Sequence, residues 1–256
     1  MNNRLFVSII ASNLALVFSP CAAFADSDTT KIEKIVVSAT RTPQALEDTL
    51  APTILIDRED IERSQAIDIA DLLRFHAGID IARNGGPGSV TSIFTRGTES
   101  DQTLILVDGI RINEGSLGSG AIQNIDPDLI ERIEIVKGPR SVLYGSDAIG
   151  GVINIITRRA TEAGNNFSAN IGYGGLNTKS GSFNLSHYSN NFRAGINVGF
   201  SNTDGFSPRT IIDNDRGNEN RSVNAYIGFN TGKLDLEFGV WNSETTTGFL
   251  DGASFA

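Results

Sequence analysis

The chain has 256 residues, with 21 Lys or Arg against 30 Asp or Glu and a formal charge of −9. That length allows a sizeable core, but the acidic balance lacks the basic surface a phosphate backbone demands, so nucleic acid is excluded as a partner. The single cysteine, Cys21, excludes an internal disulfide framework.

Arg4 precedes an apolar stretch from Leu5 to Phe18 and then Ala23-Phe24-Ala25, the pattern of a secretory signal peptide cut after Ala25. A membrane-spanning helix fits less well, because the stretch falls short of the roughly 20 residues a bilayer needs. It is also interrupted by Ser12, Asn13 and Pro20. A lipid anchor on Cys21 is weaker again, since Phe18-Ser19-Pro20 lacks the small residues expected before a lipidated cysteine. Cleavage would remove Arg4 and Cys21, taking the basic count from 21 to 20 against 30 acidic residues, a net of −10. The exported chain would then depend on burial and backbone pairing alone.

Asp26 to Thr30 is short and polar. Lys31 to Ala39 follows as a strand-like island that, on its own residues, reads as an edge strand set off by Arg41-Thr42-Pro43-Gln44. From Ala51 to Ala160 the pattern is α+β. Thr53 to Ile56 reads as a strand, Asp57 as the cap of a helix from Arg58, and Ile67, Ala70, Leu72, Leu73 and Phe75 as a helical stripe ended by Gly78. Ile79 to Ala82, Val90 to Arg96 and Thr103 to Val107 read as strands, and Asp108-Gly109 between LILV and IRI as a two-residue hairpin turn. Two glycine-rich connections, Asn84 to Ser92 and Asn113 to Gly120, could bring backbone amides close to a ligand, with Val90 and Leu117 as apolar contacts; they could equally be plain flexible links.

The run IERIEIVKGPRSVLYGSDAIGGVINIITR, from Ile130 to Arg158, alternates strands with glycine corners. Ile133 and Ile135 alternate with Arg132 and Glu134, Gly138-Pro139 turns the chain, Val142-Leu143-Tyr144 fits one helical turn, and Gly150-Gly151 leads into an apolar strand from Val152 to Ile156. Beyond Ala160 the texture changes to five period-two segments, carried by Phe167 to Tyr173, Phe183 to His187, Phe192 to Phe200, Val223 to Phe229 and Leu234 to Val240. A transmembrane barrel needs such strands of about ten residues; read alone, they suit a soluble β-sandwich as well. Ser189-Asn190-Asn191 and Thr231-Gly232 are tight turns, whereas Asn202 to Asn220 is a long polar loop.

Catalytic candidates are thin. The chain has no G-x-S-x-G, P-loop, G-x-G-x-x-G or H-E-x-x-H. His76, at the end of a helical stripe, and His187, on a barrel-like strand, are assigned capping or packing roles, so no enzyme is expected.

The stretch KGPRSVLYGSDAIGGVINIIT resembles the plug domain of TonB-dependent outer-membrane receptors almost letter for letter, and SIFTRGTES with LILVDGIRIN resembles most closely the cobalamin-receptor branch of that family. With the opening segment, the resemblance covers nearly all of residues 31 to 158. It implies an α+β plug domain followed by antiparallel strands of a transmembrane β-barrel of about 22 strands. Five strands cannot enclose such a plug, so the barrel is expected to be truncated here. The implied organisation is a signal peptide at 1–25, Ton box and linker at 26–42, plug at 43–160 and first barrel strands at 161–256.

In that context Glu33, Lys34, Ile35, Val36, Val37, Ser38 and Ala39 look like the Ton box, which pairs by strand addition with the periplasmic domain of TonB. Val90, Ser92, Glu99, Leu117 and Gly118 stand where the cobalamin-receptor plug contacts its ligand, although Glu99 replaces a neutral amide. The same branch holds calcium on external loops. Asp213 and Asp215 match its Asp-Asn-Asp element and Asp251 resembles a further ligand, whereas Ile211 replaces an expected amide; a solvated acidic loop is the other reading. No cofactor is otherwise required.

The implied function is active transport, across the outer membrane of a Gram-negative bacterium, of a scarce large ligand, with a cobalamin-like one favoured. A ferric-siderophore or haem receptor of the same family, or a non-functional fragment, is the alternative. A transducing receptor would need a periplasmic domain of several tens of residues before the Ton box. A stand-alone binding protein would expose strand edges and apolar rows.

Overall fold

The computed structural model describes residues 35–36, 42, 44–114, 118–205 and 217–248, all within the unit Lys34–Ala256. The signal peptide therefore lies outside the described residues, as do Glu33, Lys34, Val37 to Ala39, Leu117, Asp213, Asp215 and Asp251.

Strand β1 (Ile35–Val36) pairs antiparallel with β2 (Gln44–Ala45). After β3 (Thr53–Ile56), helix α1 (Arg58–Ser64) starts at Asp57, whose carboxylate accepts the Asp60 amide at 3.0 Å while Asp60 accepts the Asp57 amide at 3.4 Å. Helix α2 (Ile69–Leu73) is capped by Asp68, whose carboxylate accepts the Asp71 amide at 3.0 Å. This corrects the stripe expected from Ile67 to Phe75. Asp68 starts the helix after Ile67 and Arg74 ends it before Phe75, so both of these residues are exposed while Ile69, Ala70, Leu72 and Leu73 are buried.

A hairpin of β4 (Ile79–Arg83) and β5 (Thr91–Thr95) stands apart from the plug's main sheet. That sheet contains β6 (Thr103–Val107), β7 (Ile110–Arg111), β8 (Ile130–Lys137) and β9 (Gly151–Thr157), in the order β3-β8-β9-β6-β7, with only β6 and β9 parallel. Between β6 and β7, Asp108 and Gly109 adopt φ of 49° and 79°, the positive values a two-residue turn of this kind requires. Helix α3 (Ser141–Tyr144) lies between β8 and β9.

Both faces of the sheet are covered. Ile105, Val107, Ile133, Ile135, Ile153 and Ile155 join the helices' Ile61, Ile69 and Leu73 in the main cluster, and Leu104, Leu106 and Val152 pack with Ala148 on the other side. Each such side chain contributes about 1.5–3 kcal/mol by leaving water. Covering both faces also buries a charged side chain in β8. Glu134 is fully buried, with the Arg132 Nε donating to its Oε1 at 3.0 Å, because the sheet leaves β8 no solvent face at that position.

Beyond the plug, β10 (Gly164–Tyr173), β11 (Lys179–Tyr188), β12 (Phe192–Thr203), β13 (Asn218–Asn230) and β14 (Asp235–Thr247) form one antiparallel meander. Its buried face is polar, carrying Ser182, Asn184, Asn197, Asn220, Ser222 and Asn224, and its exposed face is apolar, carrying Phe183, Leu185, Ile196, Phe200, Val223, Ile227, Phe229, Leu236, Phe238 and Val240. A soluble sandwich buries the apolar face; this inversion is that of a barrel wall whose outside meets lipid. No described helix is long and apolar enough to cross a membrane. Short turns close one end of the wall, with Ser189 and Thr231 amides donating to Phe192 and Leu234 carbonyls at 2.8 and 3.0 Å. At the other end β12 and β13 pair out to Thr203 and Asn218, so the long loop is shorter than the span expected from Asn202 to Asn220.

Candidate functional site

The plug connects with the wall at both ends. At the long-loop end, the tip of the β4–β5 hairpin reaches the wall: the Thr247 hydroxyl donates to the Gly88 carbonyl at 3.3 Å and accepts from the Asn218 amide group at 2.9 Å. Val90 is exposed beside this tip, and its carbonyl accepts the Asn84 amide at 3.2 Å. Ser92, paired with Ala82, alternates with buried Thr91 and Ile93 and so occupies the open face of β5.

Glu99 and Gly118 share a second platform at the start of β6. The exposed Glu99 opens the 3-10 turn Ser100–Gln102, where its amide donates to the Gln102 side chain at 3.3 Å. Gly118 packs on Asp101 of that turn. The structure thus places Val90 and Ser92 on one hairpin and Glu99 with Gly118 on another support.

At the short-turn end a cluster of charged side chains joins plug to wall. Asp108 accepts the Thr157 amide at 2.9 Å and hydroxyl at 2.6 Å, and Arg159 donates to the same carboxylate at 2.9 Å. Arg159 also donates to Glu237 on β14 at 3.0 Å, to Asn224 on β13 at 3.2 Å and to the Thr157 hydroxyl, and it lies 4.5 Å over the Tyr226 ring. Tyr226 in turn accepts the Ala160 amide at 2.7 Å, and Glu237 accepts from Arg193 at 2.8 Å.

Between the two ends, residues 122–130 of the plug run against the wall. The Asn124 carbonyl accepts from Asn220 at 2.9 Å and from Ser243 at 2.5 Å, and Trp241 packs on the plug core. Asp126 accepts the Asp128 amide at 2.9 Å and faces Gly199, where an added Cβ would come within 2.3 Å of its Oδ2. Burial lifts the Asp126 carboxyl to about 6, against a smaller downward effect of that backbone bond.

Of the segment expected to act as a Ton box, Ile35 and Val36 are described, and their backbones pair with Ala45 and Gln44. Among the described residues no group of three His, Cys, Asp or Glu side chains could hold a metal ion; the calcium candidates lie outside them. Asn202, Asp204, Asn218 and Glu219 line a cleft of about 330 Å³ at the long-loop end. His76 bridges α2 to β4 through its backbone, donating to Leu73 and accepting from Ile79, and burial lowers its pKa. His187 meets the Asn165 side chain at 2.7 Å.

A polar-lined wall holding a small α+β domain on its inner face is the architecture of a plug-and-barrel receptor. Residues 45–152 match the family model described as TonB-dependent Receptor Plug Domain. Residues 45–152 thus carry a plug domain of the TonB-dependent receptor type, and the described residues beyond it form five wall strands. Among the chain's relatives is the vitamin B12 transporter BtuB of Vibrio cholerae serotype O1, 43% identical over 166 residues that cover 64% of this chain and 27% of the relative. The chain thus spans about a quarter of that relative's length. Similar solved structures include a mutant ferric enterobactin receptor of Pseudomonas aeruginosa with enterobactin, at a TM-score of 0.61 and 24% identity over 77% of this chain and 33% of that one. FpvA of Pseudomonas aeruginosa bound to a pyoverdine gives a TM-score of 0.70 and 18% identity over 82% and 27% of the two chains. Both show likeness of fold.

Three residues that organise these sites escaped the sequence reading. Asn113 carried no signal beyond its place at the head of a glycine-rich loop, and Tyr226 and Arg159 were not singled out at all. The pair Arg158-Arg159, just after a β-strand and before the change of texture, is the cue by which a junction could be found.

Proposed function

We propose that the chain is the N-terminal part of an outer-membrane active transporter for a scarce, large ligand, with a cobalamin-like molecule favoured. The observation that carries this reading is the plug itself, lodged on the polar face of an inside-out β-wall and fastened to it at both ends. Such a plug blocks free passage, so a ligand that crosses must bind first and be admitted by work done on the plug. The 43% identity to a vitamin B12 transporter supports the choice of ligand.

In this reading the long-loop end faces outward, and Val90, Ser92, Glu99, Leu117 and Gly118 meet the ligand. Glu33 to Ala39 add as a strand to TonB on the other side; pairing of Ile35–Val36 with β2 supports their competence for strand addition. Asp213, Asp215 and Asp251 would hold calcium beside the ligand. A ferric-siderophore receptor is the second reading, supported by the enterobactin-bound structure of similar fold.

Binding of cyanocobalamin and of ferric enterobactin to the intact protein separates the two. Saturable cyanocobalamin binding that Glu99→Gln alters supports the first reading; saturable binding of ferric enterobactin alone replaces it with the second.

A further inference from the structure

We propose that Asn113 is the positioning residue of the ligand-facing edge: its carboxamide fixes the Gly118 carbonyl to the start of β6, so that this edge is ordered before a ligand arrives. The inference rests on the reading that Gly118 meets the ligand.

The need for such a residue follows from the short reach of β7. Its two residues pair only with Leu106 and Val107, so this side of β6 has no strand partner from Thr103 to Ile105. Those backbone groups are buried, and an unpaired buried amide or carbonyl is costly. The Ile112 amide takes the Ile105 carbonyl at 3.1 Å. The buried Asn113 side chain supplies the rest, accepting the Ile105 amide on Oδ1 at 2.7 Å and donating from Nδ2 to the Thr103 carbonyl at 3.0 Å. Its second Nδ2 hydrogen goes to the Gly118 carbonyl at 2.6 Å.

A primary amide is the side chain this arrangement requires, because one acceptor and two donors are used together. Asp would present oxygen to two carbonyls, Ala would leave all three groups unpaired, and Gln would carry the amide one methylene too far. Glu114 and Ser119 add a 3.1 Å backbone bond, and the Gly118 amide donates to the Glu114 carbonyl at 2.8 Å. Gly118 itself has φ +68°, and a Cβ there would lie 2.4 Å from the Asp101 Cβ, so the edge is also pressed against the turn that Glu99 opens. Two of the five ligand candidates are therefore held by one rigid support. Ordering of this kind is met during folding and is not charged against binding.

The test uses the intact protein and two measurements. Hydrogen exchange of the Gly118 amide needs no ligand: Asn113→Ala is expected to speed it at least tenfold, and an unchanged rate would overturn the positioning role. Cyanocobalamin binding is then followed from pH 5 to 8 in wild type, Asn113→Ala and Asn113→Asp. Asn113→Ala is expected to raise the Kd about tenfold. Asn113→Asp is expected to do worse at pH 8 and to recover at pH 5, where protonation returns one donor to the Gly118 or Thr103 carbonyl. Asp101 and Glu114, the charged groups beside the edge, are present in all three proteins, so that a recovery confined to Asn113→Asp belongs to the new carboxyl and shows that a folded protein was measured. A Kd that stays flat with pH in Asn113→Asp overturns the proposal. Failure of wild type to bind cyanocobalamin counts against the ligand reading alone, since the exchange rates still decide what Asn113 does.

Discussion

Replacing Arg159 with methionine keeps most of the side chain's stem and removes the guanidinium donors that tie the segment after the plug's last strand to the wall. The loss can be worked out from the bonds given up. Asp108 keeps both bonds from Thr157, and Glu237 keeps Arg193, so neither carboxylate is left buried alone. What disappears across the junction is the charged bond to Glu237, the bond to Asn224 at about 1 kcal/mol and the cation–π contact with Tyr226 at about 0.5 kcal/mol, while the bonds to Asp108 and Thr157 are lost within the plug. Charged bonds contribute about 1.5–3 kcal/mol each when buried, and Arg159, at 18% exposure, stands near the lower bound. Docking of the plug at this end should therefore weaken by about 3 kcal/mol, or roughly a hundredfold in the opening equilibrium. Hydrogen exchange at Ala160, whose amide is held by the Tyr226 hydroxyl, reads that opening directly. A hundredfold loss of protection at Ala160 with Ile133 unchanged is expected; a change below threefold would refute the assignment of Arg159 as the tie between plug and wall.

Further outcomes follow from the same contacts. Burial raises the folded-state pKa of Asp126 from 3.8 to about 6, so the fold holds a proton that the unfolded chain has released, and stability falls as pH rises through that window. Asp126→Asn should abolish this fall, gaining about 2 kcal/mol on wild type between pH 4 and 7.5 after allowance for partial exposure; parallel melting curves for the two proteins across that range would contradict it. For topology, a cysteine in place of the exposed Asp204 should react with an impermeant thiol reagent on whole cells while one in place of Asn190 stays unlabelled, and the reverse pattern would invert the wall. For calcium, Asp213→Ala with Asp215→Ala should abolish Ca²⁺ protection of the external loops from proteolysis, and calorimetry without heat at millimolar Ca²⁺ on the wild type would leave a solvated acidic loop.

Local rules carried the reading of the sequence where one interaction decides the conformation. Asp57 caps its helix, Asp108-Gly109 turns its hairpin, and the period-two runs beyond Ala160 form strands, because each depends on neighbours a few residues away. The readings that failed depended on packing from afar. Alternation says nothing about the second covering layer that buries Glu134, and the stripe from Ile67 to Phe75 was too long because apolar spacing does not reveal where Asp68 and Arg74 end the helix. The choice between sandwich and barrel turned on which face is buried, a fact the alternation itself does not contain. Within the candidate site, Val90 and Gly118 could be singled out beside glycines, whereas Asn113 acts on Thr103 and Ile105 from eight to ten positions away, a distance no spacing rule marks.

Uptake of labelled cyanocobalamin by cells carrying the intact protein tests the central claim most directly, measured beside external binding in wild type and in Val36→Pro. Proline at position 36 removes a backbone donor and fixes φ, so strand addition by the segment around Ile35 and Val36 is blocked while the ligand face is untouched. Wild type is expected to bind and accumulate the vitamin, and Val36→Pro to bind it without accumulation. Equal accumulation by both proteins would contradict energised transport through this segment.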